Sequence, residues 1–218
     1  MWPFSLFNKQ KKELISPGFI DWHCHILPGV DDGVQQMSEA LEILDIYERM
    51  GIGEVWCTPH IMEDIPNTTA HLKEVFAELR SAYKGSVQLH LSSENMLDNL
   101  FEERLESNDL LPLGEDGDRL LVETSYFNPP IGLYDTLERI NGKGYTPVLA
   151  HPERYLYMRN EDYRRLKSAG VMFQLNVTSL AGVYGKHIRE KAERLKRNGF
   201  YDCEGTDVHS CKILKNYL

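Results

Sequence analysis

Cysteine is scarce. Cys24, Cys57, Cys203 and Cys211 are the only four in 218 residues, too sparse for a disulfide scaffold. Cys24 also stands between two histidines, where a bridge would compete with any role of theirs, so reduced thiols and a cytoplasmic setting are the economical reading. Basic charge is in deficit, with 24 Lys+Arg against 33 Asp+Glu and a formal net charge of −9. A binder of the nucleic-acid backbone needs the opposite balance. No apolar run approaches the roughly 18–20 residues that span a bilayer. The longest uncharged stretch, Ser168 to Gly185, is broken by Gln174, Asn176, Thr178 and several glycines. No G-x-x-x-x-G-K-[ST] loop occurs, which excludes a P-loop nucleotidase. Internal repeats are absent, and the 42% hydrophobic and 26% charged fractions exclude disordered and low-complexity classes.

The N-terminus also lacks the order of a secretory signal: Trp2, Phe4, Leu6 and Phe7 precede Lys9, Lys11 and Lys12. A flexible or lightly packed tail over residues 1–17 is the simpler expectation, and weak docking on an anionic membrane surface is the other. Residues 18–218 are expected to form one domain, since a chain of this length buries a sizeable core.

What is present is an alternation of short apolar runs and helical stretches. Strands are expected over 19–26, 53–58, 87–92, 119–123, 146–150, 171–177 and, weakly, 201–206. Helices are expected over 38–50, with Ser38 as N-cap and Gly51 as stop, and over 69–83, 97–105, 133–141, 160–168 and 187–198. The alternation implies βα units, a parallel sheet and an α/β fold, better suited to a closed barrel than to a long open sheet.

Side chains able to hold metals recur at the C-terminal ends of the expected strands, the face of a β/α barrel on which active sites sit. Asp21-Trp22-His23-Cys24-His25 closes the first strand, Thr58-Pro59-His60 the second, Ser93-Glu94 the third, and Val122-Glu123-Thr124 the fourth. Ala150-His151-Pro152-Glu153-Arg154 closes the fifth and Thr206-Asp207-Val208-His209 the last. His23 and His25 are two apart on a strand and so share a side, as do Asp207 and His209. The other histidines, His71, His90 and His187, fall in helices or mid-strand and read as structural. Taken singly, His60 or His151 would be an ordinary satisfied histidine, Glu94 or Glu123 a rim carboxylate, and Asp32 a turn residue. Together they point to a cluster, because unpaired carboxylates buried there would be costly without a cation. Imidazole with carboxylate suits Zn, Mn or Fe(II).

The order D-x-H-x-H, T-P-H, S-E, V-E, A-H-P-E-R and T-D-x-H resembles the PHP (polymerase and histidinol phosphatase) superfamily. The stretch from His25 through Pro28, Asp31, Asp32 and Gly33, with Ala150 to Tyr155, is similar more narrowly to the bacterial PHP-type protein-tyrosine phosphatases of capsule and exopolysaccharide operons. The resemblance runs from about Phe19 to His209. It implies a distorted (β/α)7 barrel in a single domain, with three divalent ions: Mn is expected, with Fe, Zn or Mg as alternatives. By similarity, one ion is held by His23, His25, Glu94 and Asp207. Glu94 bridges to a second, completed by Glu123 and His151, and a third takes Asp32, His60 and His209. Asp21 would orient a neighbouring ligand histidine. Relatives often carry Gly-Ala where Ser92-Ser93 stands here. Some carry an arginine just after D-x-H, where Ser210-Cys211-Lys212 follows, and Lys212 is the candidate for that phosphate contact.

The expected chemistry is phosphotyrosine hydrolysis by a metal-activated hydroxide. Three divalent cations outweigh the carboxylates Asp32, Glu94, Glu123 and Asp207, so an acidic protein keeps a cationic pocket. Arg154 offers a planar fork to phosphate oxygens, or else a surface salt bridge with Glu153 or Glu161. A phenol leaves readily, and no general acid is identified. Six residues after Cys24, Cys57, Cys203 and Cys211 stand Val30, Glu63, His209 and Tyr217. None is the arginine of C-x5-R, so a cysteine-nucleophile phosphatase is excluded. The implied substrate is the tyrosine-rich tail of a bacterial tyrosine kinase of polysaccharide export. The alternatives are a small-molecule phosphomonoesterase of the histidinol-phosphate type and a catalytically silent metal-binding regulator of polysaccharide assembly. Loops that look short favour an open pocket and a protein substrate.

Overall fold

The computed structural model describes residues 14–217. Its elements are β1 (Ile20–Cys24), α1 (Met37–Met50), β2 (Glu54–Cys57), β3 (His60–Ile61), α2 (Thr69–Ala82), β4 (Gln88–Leu91), β5 (Glu94–Met96) and α3 (Asn99–Ser107). There follow β6 (Arg119–Glu123), α4 (Leu133–Gly142), β7 (Thr146–Ala150), a 3-10 turn (Pro152–Arg154), α5 (Asn160–Ser168) and β8 (Met172–Asn176). The chain ends with α6 (Val177–Ala181), α7 (Lys186–Arg197), β9 (Cys203–Gly205) and α8 (Cys211–Tyr217). Of the expected tail, residues 1–13 lie outside the described residues, whereas Ile15 is buried in the core.

Local signals set most boundaries. In α1 the buried Ala40, Ile43, Leu44 and Tyr47 repeat at helical spacing, and Gly51 ends the helix at φ 78°. Ser38 is not its N-cap: the Gln36 carbonyl already accepts from Glu39 N and Ala40 N, which places Ser38 inside the first turn. Thr68 caps α2 by accepting from His71 N, and Asp98 caps α3 by accepting from Phe101 N. The Asp98 cap is why α3 starts at Asn99 rather than Leu97.

The sheet is parallel at every pairing of named strands. One group runs β1-β2-β4 and the other β3-β5-β6-β7-β8-β9. Two kinks relate them. The chain breaks between β2 and β3 at Thr58-Pro59, and between β4 and β5 at Ser92-Ser93, with Glu94 N donating to Pro59 O. Past the kinks, β3 pairs with β5 and β5 with β6. At the other margin a parallel bridge joins Cys24 to Val208, and His25 N donates to Val208 O. The result is one mixed α/β domain around a curled parallel sheet.

Strand alternation divides the core. Leu120, Val122, Leu149 and Phe173 face α4 and α5 with Leu137, Ile140, Tyr163 and Leu166. Leu121, Val148 and Ala150 face the other way, with Trp56 and the partly buried Trp22. A register shift between Asp21 and Cys24 marks a bulge in β1. It lets Trp22 stack on Trp56 at 5.6 Å while the next residue, His23, turns its ring to Gln174 on β8. Gly205 makes this approach possible, because a Cβ there would lie 2.6 Å from the His23 Cβ.

Candidate metal centre

All the expected ligands except Asp32, which lies in the turn between β1 and α1, sit where a strand ends or kinks. His23 ends β1 beside His25, His60 opens β3, Glu94 opens β5, Glu123 ends β6, His151 follows β7, and Asp207 and His209 follow β9. His60 and Glu94 are register partners, so the paired kinks carry both to one place. His151 and Asp207 adopt φ of 34° and 52°, left-handed values at non-glycine residues, the kind of strain that clusters at functional sites.

At the centre, acceptors face acceptors. His23 Nδ1 is bound to Gln174 Oε1 at 2.9 Å and His25 Nδ1 to Asp31 Oδ2 at 2.8 Å. Gln174 Oε1 also accepts from His151 N, and its amide donates to Leu175 O, which fixes the amide orientation. Both Nδ1 atoms therefore carry the proton, and both Nε2 atoms present lone pairs. Those two Nε2 atoms are 3.0 Å apart. Glu94 Oε2 lies 3.1 Å from the first and 3.3 Å from the second. Asp207 Oδ1 lies 3.6 Å and 3.4 Å from them. Such a convergence of lone pairs and carboxylates is favourable around a cation, and the donor set fits one. In its absence only protons can relieve it. Burial would lower the His23 imidazole, but the Glu94 and Asp207 carboxylates hold it up at about 9. Burial likewise opposes ionisation of Glu94 and Asp207, yet the facing histidines hold both well below the usual carboxylate range.

Two further groupings share members with the first. His25, Asp32, His60 and His209 present ligand atoms within 4.8 Å of one another, as do His60, Glu94 and Glu123. His60 Nδ1 lies 3.2 Å from Glu94 Oε2 and 3.1 Å from Glu123 Oε1, and its Nε2 lies 3.6 Å from Asp32 Oδ1. His209 donates Nδ1 to Asp207 O, which leaves its Nε2 free to face Asp32 at 3.5 Å. The facing His209 ring and the neighbouring histidines hold Asp32 down at about 2. His151 Nε2 reaches Glu94 Oε1 at 2.9 Å, while Glu123 Oε2 is 3.8 Å away, so His60 is closer to Glu123 than His151 is. Glu94 Oε2, His60 Nδ1 and His151 Nδ1 are buried without a hydrogen-bond partner. Orphaned polar atoms gathered around one cluster are a second sign that these residues fit a cation.

Arg154 does not pair with Glu153 or Glu161. Its Nη1 donates to Asp207 Oδ2 at 2.8 Å, and its guanidinium lies between the rings of Tyr126 and Tyr184, at 4.3 Å and 4.2 Å. Burial opposes its charge, but Asp207 raises its pKa above the ordinary arginine value. Asp207 Oδ2 also accepts from Asn176 Nδ2 at 2.6 Å and Tyr184 OH at 3.2 Å. Glu153 is buried instead, accepting from Asn176 N and Tyr201 OH.

Asp21 touches no histidine ring. Its carboxylate accepts from Thr206 N, Thr206 Oγ1 and Tyr47 OH, each at 2.7 Å, and from His23 N at 3.3 Å. The bulge turns Asp21 away from the cluster, so it ties β1 to the residue preceding Asp207. The rings are oriented by Asp31 and Gln174, which sequence reasoning missed. The signals were there: a doubled aspartate before Gly33, and a glutamine inside an apolar strand. Asp31 Oδ1 accepts from Gly33 N and Oδ2 from His60 N, so one turn residue serves both histidines. Lys212 is exposed on α8 and makes no ion pair among the described residues. Ser92 and Ser93 are buried, with Ser92 Oγ donating to Leu111 O and Ser93 Oγ to Asn95 Oδ1. His71 and His187 are exposed, and His90 stacks on Trp56 at 4.6 Å.

Known proteins share this chain's sequence and architecture. A family model for capsular polysaccharide synthesis, CpsB/CapC, matches residues 19–215. The tyrosine-protein phosphatase YwqE of Bacillus subtilis (strain 168) is 30% identical over 199 residues, 88% of this chain and 78% of YwqE. The tyrosine-protein phosphatase CpsB of Streptococcus pneumoniae is 29% identical over 204 residues, 87% of this chain and 79% of CpsB. A crystal structure from work on those two proteins, described there as unique metal-dependent tyrosine phosphatases, matches at a TM-score of 0.81 and 30% identity, covering 89% of this chain and 81% of that one. No helix among the described residues is long and apolar enough to cross a membrane.

Proposed function

The chain belongs to the CpsB/CapC family of capsular polysaccharide synthesis, and on that premise we propose that it is a metal-dependent protein-tyrosine phosphatase, a phosphoric monoester hydrolase of the cytoplasm. Its substrate in this reading is a phosphotyrosine segment of a bacterial tyrosine kinase of polysaccharide export. The observation that carries the proposal is the convergence of His23 Nε2, His25 Nε2, Glu94 Oε2 and Asp207 Oδ1, with each histidine's other ring nitrogen already donating to Gln174 or Asp31.

We assign three divalent ions, Mn first and Fe, Zn or Mg as alternatives. His23, His25, Glu94 and Asp207 take one, Glu94, Glu123 and His151 a second, and Asp32, His60 and His209 the third. Bound there, divalent cations lower the pKa of a coordinated water toward about 7 and draw charge from phosphoryl oxygens. The protein's own groups do the rest. Asp31 and Gln174 keep both ligand histidines in the tautomer that presents Nε2. Arg154, fixed between two tyrosines, spends one N–H on Asp207 and has others left for phosphate oxygens. A phenolate departs with a conjugate-acid pKa of about 10, so a strong protein acid is not required. The exposed side chain of Asp32 makes the site open on one side, which suits a tyrosine carried on a protein.

A distorted (β/α)7 barrel over residues 18–218 is the finer fold we propose. Counting β2 with β3 and β4 with β5 as kinked strands, each strand is hydrogen-bonded to the next, and the bridge from Cys24 to Val208 supports closure.

Turnover of a phosphotyrosine peptide, a phosphoserine peptide and histidinol phosphate, with Mn²⁺ and after EDTA, tests the reading. The expected result is preference for phosphotyrosine and loss of activity on chelation. Preference for histidinol phosphate would replace it with a small-molecule phosphomonoesterase. No turnover of any substrate by protein shown to hold metal would leave a silent regulator, and activity indifferent to EDTA would remove the metal from the chemistry.

A further inference from the structure

Among the described residues the large apolar side chains most exposed to solvent are Phe127 at 69%, Ile131 at 104% and Leu156 at 53%. Single exposed hydrophobics scattered over a surface need no account. These three are not scattered. They lie on the segments that follow β6 and β7, the same segments that carry Tyr126 and Arg154. Leu156 N donates to Tyr126 O at 2.7 Å and joins the two segments. The Tyr126 ring stands 5.9 Å from that of His151 and 4.3 Å from the Arg154 guanidinium. Phe127 is therefore the next residue beyond the aromatic wall of the site, and Leu156 lies two residues past its arginine.

We infer that this apolar rim docks the residues flanking the phosphotyrosine and selects segments with an apolar or aromatic side chain within a few positions of it. The inference rests on the phosphatase reading above. An extended peptide advances about 3.3 Å per residue, so a side chain two positions from a phosphotyrosine seated at Arg154 comes within reach of neighbours of Tyr126. Residues 124–132 carry no charge, in a chain where 26% of residues are charged, so the rim selects by apolar contact. The 124–132 segment, which carries Phe127 and Ile131, also offers no Lys or Arg to an anionic membrane surface. Three side chains fall well short of the roughly 800 Å² per partner that a stable dimer takes. Pro129 and Pro130 restrict the loop, which lowers the cost of ordering it around a peptide.

The test uses the full chain loaded with Mn²⁺, as wild type, as Phe127→Ser with Ile131→Ser, and as Leu156→Ser. Binding is read by fluorescence anisotropy with peptides bearing a non-hydrolysable phosphotyrosine mimic, flanked either by Leu and Tyr or by Gly and Ser. Turnover is read on the matching phosphotyrosine peptides and on free phosphotyrosine, and oligomeric state by sedimentation velocity. Wild type is expected to favour apolar flanks by about tenfold in Kd and kcat/KM, roughly the contribution of one partly buried apolar side chain. The variants should bring the two peptides within about twofold and leave turnover of free phosphotyrosine unchanged. Equal binding of both peptides by wild type, or a preference that survives in the variants, overturns the inference. So does a wild-type oligomer that the variants dissociate, because the rim is then a contact between copies of this chain. A binding preference that holds while no phosphotyrosine substrate is turned over keeps the docking surface and removes the phosphatase reading.

Discussion

Replacing Asp21 by alanine tests how the site is held together, because Asp21 is buried and touches no histidine ring. Its carboxylate accepts from Thr206 N, Thr206 Oγ1, Tyr47 OH and His23 N. In Asp21→Ala the two hydroxyls can still satisfy each other, since Tyr47 OH and Thr206 Oγ1 are 2.8 Å apart. Thr206 N and His23 N lose their side-chain acceptor, and a small cavity opens. Each buried donor left unpaired costs about 1–3 kcal/mol, so the total loss should be about 3–5 kcal/mol, or a Tm lower by about 10 °C at this size. Asp21→Asn keeps one oxygen for Thr206 N and His23 N and turns its amide toward two hydroxyls that can accept, so its loss should be about 1 kcal/mol. Urea denaturation of the metal-free proteins gives both numbers, and metal analysis gives the consequence for the site. Thr206 precedes Asp207, whose backbone is held at φ 52°, so Asp21→Ala should also bind less metal at limiting concentration. A loss under about 1 kcal/mol in Asp21→Ala, or equal losses in the two variants, would refute the claim that this carboxylate clamps β1 to the Asp207 turn.

Three other expectations follow from specific contacts. Arg154→Ala should lower kcat/KM for a phosphotyrosine peptide by about 100-fold, the order seen when one charge-stabilising donor is removed, with metal content intact on elemental analysis. Gly205→Ala puts a methyl 2.6 Å from the His23 Cβ, so it should destabilise the fold by about 2 kcal/mol or more in urea curves and weaken metal binding as His23 moves. Lys191 is buried, donating to the Tyr155 carbonyl, and burial lowers its pKa from 10.5 to about 8. The unfolded chain then holds more protons between about pH 8 and 10.5, and stability from this group rises with pH across that window. Lys191→Met should flatten the rise, which urea midpoints at pH 7.5 and pH 10 would show.

Much of the fold was legible because its signals are local. The bounds of β6, β7 and α5 coincide with the apolar runs and glycine stops that announce them: Arg119–Glu123, Thr146–Ala150 and Asn160–Ser168. The gathering of strand-end histidines and carboxylates was legible for the same reason, since most of them stand just after an apolar run. The short strands β3 and β5 were not, because two- and three-residue strands carry no periodicity and exist only through their pairing with each other and with β6. The resemblance implies that Asp21 orients a ligand histidine, and plain alternation would put it on the side of His23 and His25. The bulge in β1 breaks that alternation, and bulges leave no mark in composition. The stacking of Tyr126 and Tyr184 on Arg154 joins residues from three separate segments, which is tertiary information from the start.

Backbone strain and buried charge at the centre have one compensation in common. Two of the three non-glycine residues with positive φ among the described residues are His151 and Asp207, and conformations of that kind cost about 1–3 kcal/mol each. Glu94 and Asp207 are buried in full and remain ionised, a further cost that ordinary packing does not offset. Neither cost serves folding, since glycines would relieve the first and apolar side chains the second. Both serve a single end: they aim imidazole and carboxylate lone pairs from opposite ends of the chain at one volume. Divalent cations in that volume would offset the carboxylate desolvation and hold the strained backbone in place. Metal binding and the last part of folding are thus the same free-energy term at this site, and the acceptors packed against acceptors at its centre are the structural trace of that coupling.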